Sequence, residues 1–242
     1  MADLVYPPVI AACKTMFRVL DLKLDIKGTE HVPPKGGAVI ACTHVSYLDF
    51  IFCGLGAQPA DRLVRFMAKR EVFENRIAGP LMRGMRHISV DRAAGKASYD
   101  EAVERLRSGQ VVGVFPEATI SRSFTVKELK SGAARMAADA GVPIVPMAVW
   151  GTQRLWTKGR PKNLTQRHVP ISILTGEAFH PEAGDVEKVT HDLRERMQDL
   201  LDKVQADYPD SPAPDEDPWW LPAHLGGTAP TPEEAAALDR EN

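Results

Sequence analysis

The chain has 242 residues, of which 44% are hydrophobic and 26% are charged, and its formal net charge is −2. This size and composition indicate one folded domain with appendages, and the near-neutral charge argues against a nucleic-acid-binding protein. Residues 208–242 hold eight acidic residues and one basic residue, which leaves 29 basic against 24 acidic side chains in residues 1–207. A mildly basic body suits anionic substrates or an anionic membrane surface.

The sequence predicts a protein without a signal peptide or a membrane-spanning helix, because no apolar run approaches the roughly 18 residues that a span needs. Its three cysteines stand in apolar surroundings, which is typical of core residues in a reducing compartment. Cys42 lies two residues before His44 and has to be weighed as a nucleophile. In a strand this spacing separates two side chains by about 7 Å, too far for a direct hydrogen bond.

Hydrophobic periodicity predicts alternating helices and strands. Residues 5–20 form an amphipathic helix with two prolines in its first turn, and it either packs on the domain or lies in a membrane interface. The later strands are predicted at 22–32, 38–43, 63–70, 87–90, 111–115, 142–150 and 170–174, and the later helices from His44, toward Met85, and at 98–108, 130–140 and 186–207.

This alternation predicts an α/β domain of three layers with a largely parallel sheet. In such sheets the polar residues that follow the strands meet in a crevice at the carboxyl edge. Four of the predicted strands end in residues that can carry chemistry: His44, Lys69, Arg92 and Glu117. We therefore expect these side chains to lie at one edge of the sheet.

The chain divides into an N-terminal helix at 1–21, a main domain at 22–207 and a tail at 208–242. Seven prolines and the acidic excess of the tail predict a segment that is partly docked or disordered. Trp219 and Trp220 are costly to leave in water, so they either dock on the domain, which is the preferred interpretation, or sit at a membrane interface.

His44 and Asp49 are the strongest candidates for catalysis. A histidine after a buried strand, with a carboxylate five residues later, can form an oriented general base. Glu117 can hydrogen-bond polyol hydroxyls, and the cations Lys69, Arg92 and Arg122 can bind an anion. Together these residues describe a site for a phosphorylated polyol.

Four ordered motifs resemble those of the glycerolipid acyltransferases, which act on glycerol 3-phosphate or 1-acylglycerol 3-phosphate. The resemblance covers residues 22–180. The segments that carry it are His44-x4-Asp49, Val90-Asp91-Arg92, Phe115-Pro116-Glu117 and Val142-Pro143-Ile144-Val145-Pro146, with lesser similarity at Ala68-Lys69-Arg70-Glu71 and Leu129-Lys130-Ser131-Gly132.

The resemblance implies an αβ-sandwich with a largely parallel mixed sheet flanked by helices. His44 would be the general base, oriented by Asp49, and the acceptor hydroxyl would attack an acyl thioester directly. The family pattern places Lys69, Arg92 and Glu117 at acceptor-binding positions, and we add Thr119, Arg122 and Lys130 to the substrate-binding set. No metal or cofactor is implied, since acyl-CoA or acyl-carrier protein is a co-substrate.

The third motif departs from the family's FPEGTRS, because Ala118 replaces its glycine and Ile120 its arginine. Arg122 is the candidate substitute for that arginine, and the variant resembles an actinobacterial branch of the family. The segment Trp150–Lys162 mixes indoles with cations, which suits contact with anionic lipid headgroups on the cytoplasmic face of the membrane.

The preferred product is phosphatidic acid, formed from 1-acyl-sn-glycerol 3-phosphate. Acceptors such as glycerol 3-phosphate, another lysophospholipid or a glycolipid remain open. The alternatives from other functional classes are a hydrolase in which His44 activates water and a non-catalytic adaptor at the membrane surface.

Overall fold

The structure is a computed structural model that describes residues 3–91, 95–181 and 184–241. Its strands are β1 (Lys23–Lys27), β2 (Ala38–Cys42), β3 (Val64–Lys69), β4 (Ile88–Val90), β5 (Val111–Val114), β6 (Ile144–Trp150) and β7 (Pro170–Thr175). Its helices are α1 (Tyr6–Val19), α2 (Asp49–Ala57), α3 (Arg70–Glu74), α4 (Ala78–Gly84), α5 (Gly95–Arg107), α6 (Gly132–Ala140), α7 (Val186–Ala206) and α8 (Pro232–Arg240).

The strands of the described residues form one mixed sheet in the order β1-β7-β6-β2-β5-β3-β4. Strands β6, β2, β5, β3 and β4 run parallel to one another, whereas β7 runs antiparallel to β6 and β1 runs parallel to β7. The α/β fold class is confirmed. Because these five neighbouring strands point the same way, the residues that follow them share one edge of the sheet.

The central strand β2 is buried on both faces and divides the hydrophobic core. Val39 and Ala41 belong to a cluster that includes residues of α5, α6 and α7. Ala38, Ile40 and Cys42 belong to a second cluster that includes residues of α1 and α2. Since successive side chains of a strand point to opposite faces, this alternation produces a layer of helices on each side of the sheet.

Several predicted boundaries are wrong. The helix predicted from His44 begins at Asp49, because residues 43–48 form a loop that the Asp49 carboxylate ties together. The helix predicted toward Met85 is interrupted after α3, where the Asn75 side chain accepts the backbone N–H of Ala78 and starts α4. The first strand ends at Lys27, since Gly28 turns the chain with a positive φ of 73°.

The tail lies against the main domain. Trp220 is 1% exposed. The Arg154 guanidinium lies 4.5 Å from the centre of its ring, and the ring centroids of Tyr208 and Trp220 are 5.7 Å apart. The domain surface therefore orders a segment whose composition favours disorder, because one large indole gains a buried site there. The division of the chain at residues 21 and 207 stays a prediction.

The expectation that Trp150 contacts lipid is wrong, because its side chain is fully buried in the core cluster that includes residues of α7. Two cations of the same segment face the tail: Lys158 pairs with Asp239 at 2.7 Å and Arg160 with Asp217 at 3.7 Å. No helix within residues 3–91, 95–181 and 184–241 combines the length and apolarity needed to cross a membrane.

Candidate active site

The loop between β2 and α2 wraps around the carboxylate of Asp49, which is fully buried. Its Oδ2 accepts hydrogen bonds from the backbone N–H of Val45 and of Ser46, each at 2.7 Å, and lies 3.1 Å from Nδ1 of His44. Its Oδ1 accepts the hydroxyl of Thr152 at 2.6 Å. Four donors thus hold one carboxylate in a single orientation, and charge-assisted bonds of this kind are the strong ones.

The contact with Asp49 decides the tautomer of His44. A carboxylate accepts hydrogen bonds, so Nδ1 of His44 is the donor, and in the neutral imidazole Nε2 is then the acceptor. The His44 side chain is 19% exposed, whereas that of Asp49 is not exposed at all. The arrangement has the geometry that a general base needs, with one nitrogen oriented by a buried carboxylate and the other on the exposed side of the ring.

The loop after β5 holds His44 from the other side. The ring of Phe115 stacks on the imidazole with 4.2 Å between the centroids. Oε1 of Glu117 accepts the backbone N–H of His44 at 2.8 Å, and the backbone N–H of Ser121 donates to the carbonyl of His44 at 2.7 Å. The two loops follow adjacent strands, and together they fix both the ring and the backbone of His44.

Glu117 supports this junction with both carboxylate oxygens. Its Oε2 accepts the backbone N–H of Lys127 at 3.1 Å, and the residue is only 4% exposed. Burial raises the pKa of Glu117 to about 8, although hydrogen bonds from the backbone of Lys127 and His44 oppose the rise. The sequence suggested that Glu117 binds substrate hydroxyls, but in this structure its oxygens connect two loops.

The predicted binding residues Thr119 and Arg122 lie beside a cluster of cations. Nζ of Lys127 donates to Oγ1 of Thr119 at 2.7 Å and also to the Asp239 carboxylate of the tail. Nζ of Lys158 donates to Asp239 at 2.7 Å, and Nε of Arg122 lies 3.6 Å from the same carboxylate. The sequence did not single out Lys127 and assigned Lys158 to the lipid-contact segment, because no local pattern connects either residue to the motifs.

The other predicted cations are placed differently. Lys69 ends β3 at the same edge of the sheet, and its side chain is exposed. The backbone N–H of Lys130 donates to the carbonyl of Pro116 at 2.8 Å, whereas its side chain is exposed. Arg92 lies outside the described residues.

The two departures in the third motif have clear local surroundings. Ala118 has a φ of 63°, the left-handed region in which glycine is favoured, which is the position of the family glycine. Ile120 is 4% exposed and points into the protein, so it contributes no charge to the site. The cation at this edge of the motif is Arg122.

Two groups near His44 are unsuited to nucleophilic attack. Cys42 is fully buried, and burial raises the pKa of its thiol well above the usual range. Oγ of Ser46 donates to the carbonyl of Trp156 at 2.6 Å.

The sequence predictions also missed Thr152, which follows β6 at the carboxyl edge of the sheet. That position is the signal that could have found it. Within the described part of the chain, no three His, Cys, Asp or Glu residues cluster as metal ligands would.

An apolar cavity of about 260 Å³ opens between α1, α2 and α4. Aromatic contacts connect it with His44: Phe115, which stacks on His44, also stacks on Phe66 at 6.1 Å, and Phe66 contacts Phe50 and His87, which line the cavity. Burial, together with Arg65 and Arg105, lowers the pKa of His87 to about 4. The cavity is therefore lined by neutral groups, apart from the edge at Arg62.

Residues 23–150 match the family described as "Acyltransferase". The chain belongs to the acyltransferase family. The family resemblance seen in the motifs is confirmed, and the matched range contains both His44 and Glu117 as well as the strands that carry them.

Several curated acyltransferases are similar to this chain. A 1-acyl-sn-glycerol-3-phosphate acyltransferase of Bacillus subtilis is 30% identical over 199 residues, which are 77% of this chain and 93% of the relative. One of Limnanthes douglasii is 31% identical over 183 residues, covering 72% of this chain and 63% of the relative. The crystal structure of the 1-acyl-sn-glycerophosphate acyltransferase PlsC from Thermotoga maritima superposes with a TM-score of 0.71 at 24% identity, covering 84% of this chain and 81% of that one, and shows that the acyltransferase fold is shared.

Proposed function

We propose that this acyltransferase moves a fatty acyl group from an acyl thioester to the free hydroxyl of 1-acyl-sn-glycerol 3-phosphate and so forms phosphatidic acid. The observation that carries the proposal is the His44–Asp49 pair, in which a buried carboxylate orients an accessible imidazole. The names of the relatives from Bacillus subtilis and Limnanthes douglasii support the choice of acceptor.

The proposed chemistry is direct transfer. Nε2 of His44 takes the proton of the acceptor hydroxyl while the hydroxyl oxygen attacks the thioester carbonyl. The tetrahedral intermediate then collapses, the carbon–sulfur bond breaks, and the imidazolium returns its proton to the departing thiolate. Asp49 stabilises the imidazolium between these steps, which requires the charge and the fixed orientation that its four hydrogen bonds supply.

The acyl chain is proposed to occupy the apolar cavity. The cavity is lined by apolar side chains of α1, α2 and α4, and its lining residue Phe50 contacts Phe66, which stacks on Phe115 beside His44. Burying a methylene group from water contributes about 0.8 kcal/mol, so a long chain gains much of its binding free energy there. The acyl thioester, carried by CoA or by acyl-carrier protein, is a co-substrate, and the proposed reaction needs no further cofactor.

The protein is proposed to act as a peripheral enzyme at an anionic membrane surface. Leu4 and Ile77 are 81% and 80% exposed next to α1 and α4, two of the helices that border the cavity, and Leu81 lines the cavity while remaining 42% exposed. Such apolar side chains favour insertion among lipid headgroups, and the exposed Arg76 next to Ile77 can contact anionic ones. The free cysteines support the cytoplasmic face.

The test is thiol release from palmitoyl-CoA by purified protein with liposomes, comparing 1-acylglycerol 3-phosphate, glycerol 3-phosphate and no acceptor. Release with 1-acylglycerol 3-phosphate, with phosphatidic acid as product, is expected. His44→Ala should abolish it while the fold is kept. Equal release without an acceptor would instead show a thioesterase, and dependence on glycerol 3-phosphate would replace the proposed acceptor.

A further inference from the structure

Three cations surround a single carboxylate at the edge of the active site. Arg122, Lys127 and Lys158, which we name the cation cluster, all approach Asp239 of the C-terminal helix α8. The Asp239 side chain is only 17% exposed, so the contact is largely shielded from water. The Asp239 carboxylate of the tail therefore occupies an anion-binding position that three cations surround.

The cation cluster is connected to the catalytic histidine by short steps. The backbone N–H of Lys127 donates to Glu117, which accepts the backbone N–H of His44 with its other oxygen. Ser121, the neighbour of Arg122, donates to the carbonyl of His44 at 2.7 Å. A ligand held by these cations consequently lies beside the loop that positions the general base.

One carboxylate does not satisfy the cluster. Three positive charges face one negative charge, and Nε of Arg122 is buried without a hydrogen-bond acceptor in the described residues. A phosphomonoester carries a charge of about −1.5 to −2 and has three strong acceptor oxygens. It therefore complements the cluster better than the single carboxylate of Asp239 does.

Apart from the Asp239 contacts, helix α8 buries little of itself against the domain. It has nine residues, all described, of which only Ala235 is buried. A helix of this length is marginal by itself in water, and local elements with few buried contacts open at low free-energy cost. Trp220 and Ala229 are 1% and 5% exposed and keep the preceding part of the tail docked, so opening is confined to α8 itself.

We propose that α8 is a releasable clasp, in which the Asp239 carboxylate occupies a phosphomonoester site built from Arg122, Lys127 and Lys158. Binding of the acceptor phosphate displaces Asp239 and opens α8, so the tail competes with the substrate for the cation cluster. The identity of that phosphate as part of the acyl acceptor rests on the proposed function, whereas the site and its internal competitor do not.

The first experiment measures binding of inorganic phosphate to the full chain by titration calorimetry at low salt. Asp239→Asn keeps the shape of the side chain and removes the competing charge. If the clasp is closed for about nine-tenths of the time, this variant binds phosphate about tenfold more tightly than the wild type. Glu233→Gln removes one exposed charge from the first turn of the same helix and is the matched control, for which unchanged affinity is expected.

Two further measurements locate the effect. Lys158→Met in the Asp239→Asn background should weaken phosphate binding again, because Lys158 belongs to the cluster. Phosphate should accelerate hydrogen exchange of the α8 amides in the wild type, whereas in Asp239→Asn these amides should exchange fast without phosphate. Equal affinity of Asp239→Asn and the wild type, or an equal gain in Glu233→Gln, would overturn the proposal.

Other results separate the phosphate source and the proposed function. A gain for Asp239→Asn on phosphatidylglycerol vesicles without a gain for phosphate would show a site for phosphodiester headgroups and overturn the clasp as proposed. Tighter phosphate binding in a protein that transfers no acyl group would support the clasp and refute the proposed function. Acyl transfer together with unaltered phosphate affinity in Asp239→Asn would support the proposed function and refute the clasp.

Discussion

Replacing Asp49 by Asn tests whether the negative charge behind His44 drives the reaction. The amide oxygen of Asn can take the place of Oδ2 and accept the N–H groups of His44, Val45 and Ser46. Its NH₂ group then faces Thr152, whose hydroxyl can accept as well as donate. The substitution therefore preserves the shape of the loop and removes the charge.

The expected losses differ in size for stability and for turnover. Each of the three N–H bonds changes from charge-assisted to neutral and weakens by about 1 kcal/mol, while relief from burying a charge offsets part of this sum. We expect the free energy of unfolding to fall by about 1–2 kcal/mol. Turnover should fall about 1,000-fold, since the imidazolium formed in the reaction loses its counter-charge.

Thr152→Val is the matched control. It keeps the charge of Asp49 and leaves its buried Oδ1 without the 2.6 Å hydrogen bond, which costs about 1–3 kcal/mol of stability. Turnover should fall less than tenfold, because His44 keeps its oriented counter-charge. Stability is measured by urea unfolding and turnover by acceptor-dependent thiol release at saturating acyl-CoA. Turnover of Asp49→Asn within tenfold of wild type, or an equal loss in Thr152→Val, would refute the reasoning.

Three other substitutions test the surroundings of the site. The pKa of His87 is ordinarily 6.5 and is about 4 in the native protein. Between these two pH values the unfolded chain binds more protons than the native state, so the free energy of unfolding falls by about 3 kcal/mol as pH falls from the higher to the lower value. His87→Asn keeps an acceptor for the Phe66 N–H and should remove this share of the pH dependence in urea titrations at several pH values; an unchanged slope would contradict it. Ala118→Gly should raise the free energy of unfolding by about 1 kcal/mol by relieving its positive φ, and a decrease would show that the turn is unstrained. Trp220→Ala should lower it by about 3–5 kcal/mol, through loss of a buried indole and its Arg154 contact, and a loss below about 1 kcal/mol would mean that the tail is not held there.

The loop between β2 and α2 was predictable as a candidate site because its signals are local. A short apolar strand followed by His44 and Asp49 contains both the secondary structure and the spacing, and parallel strands bring Glu117 to the same edge. The contact between His44 and Glu117 then follows from strand adjacency, although the sequence did not show that Glu117 would bind backbone groups. The start of α2 was mispredicted because a side chain, rather than a helical pattern, organises residues 43–48.

The alternation of strands and helices, the motif residues and the family can be recognised in the chain alone, because they depend on periodicity and short-range spacing. Which distant residues complete the site becomes visible only in the folded protein. Thr152 meets a carboxylate 103 positions earlier, and Asp239 meets Lys127 across 112 positions. Burial decided the role of Trp150, whose neighbouring cations suggested a lipid contact. Such pairings depend on strand order and on whether the free energy of packing exceeds the entropic cost of closing long loops. A local sequence pattern contains neither.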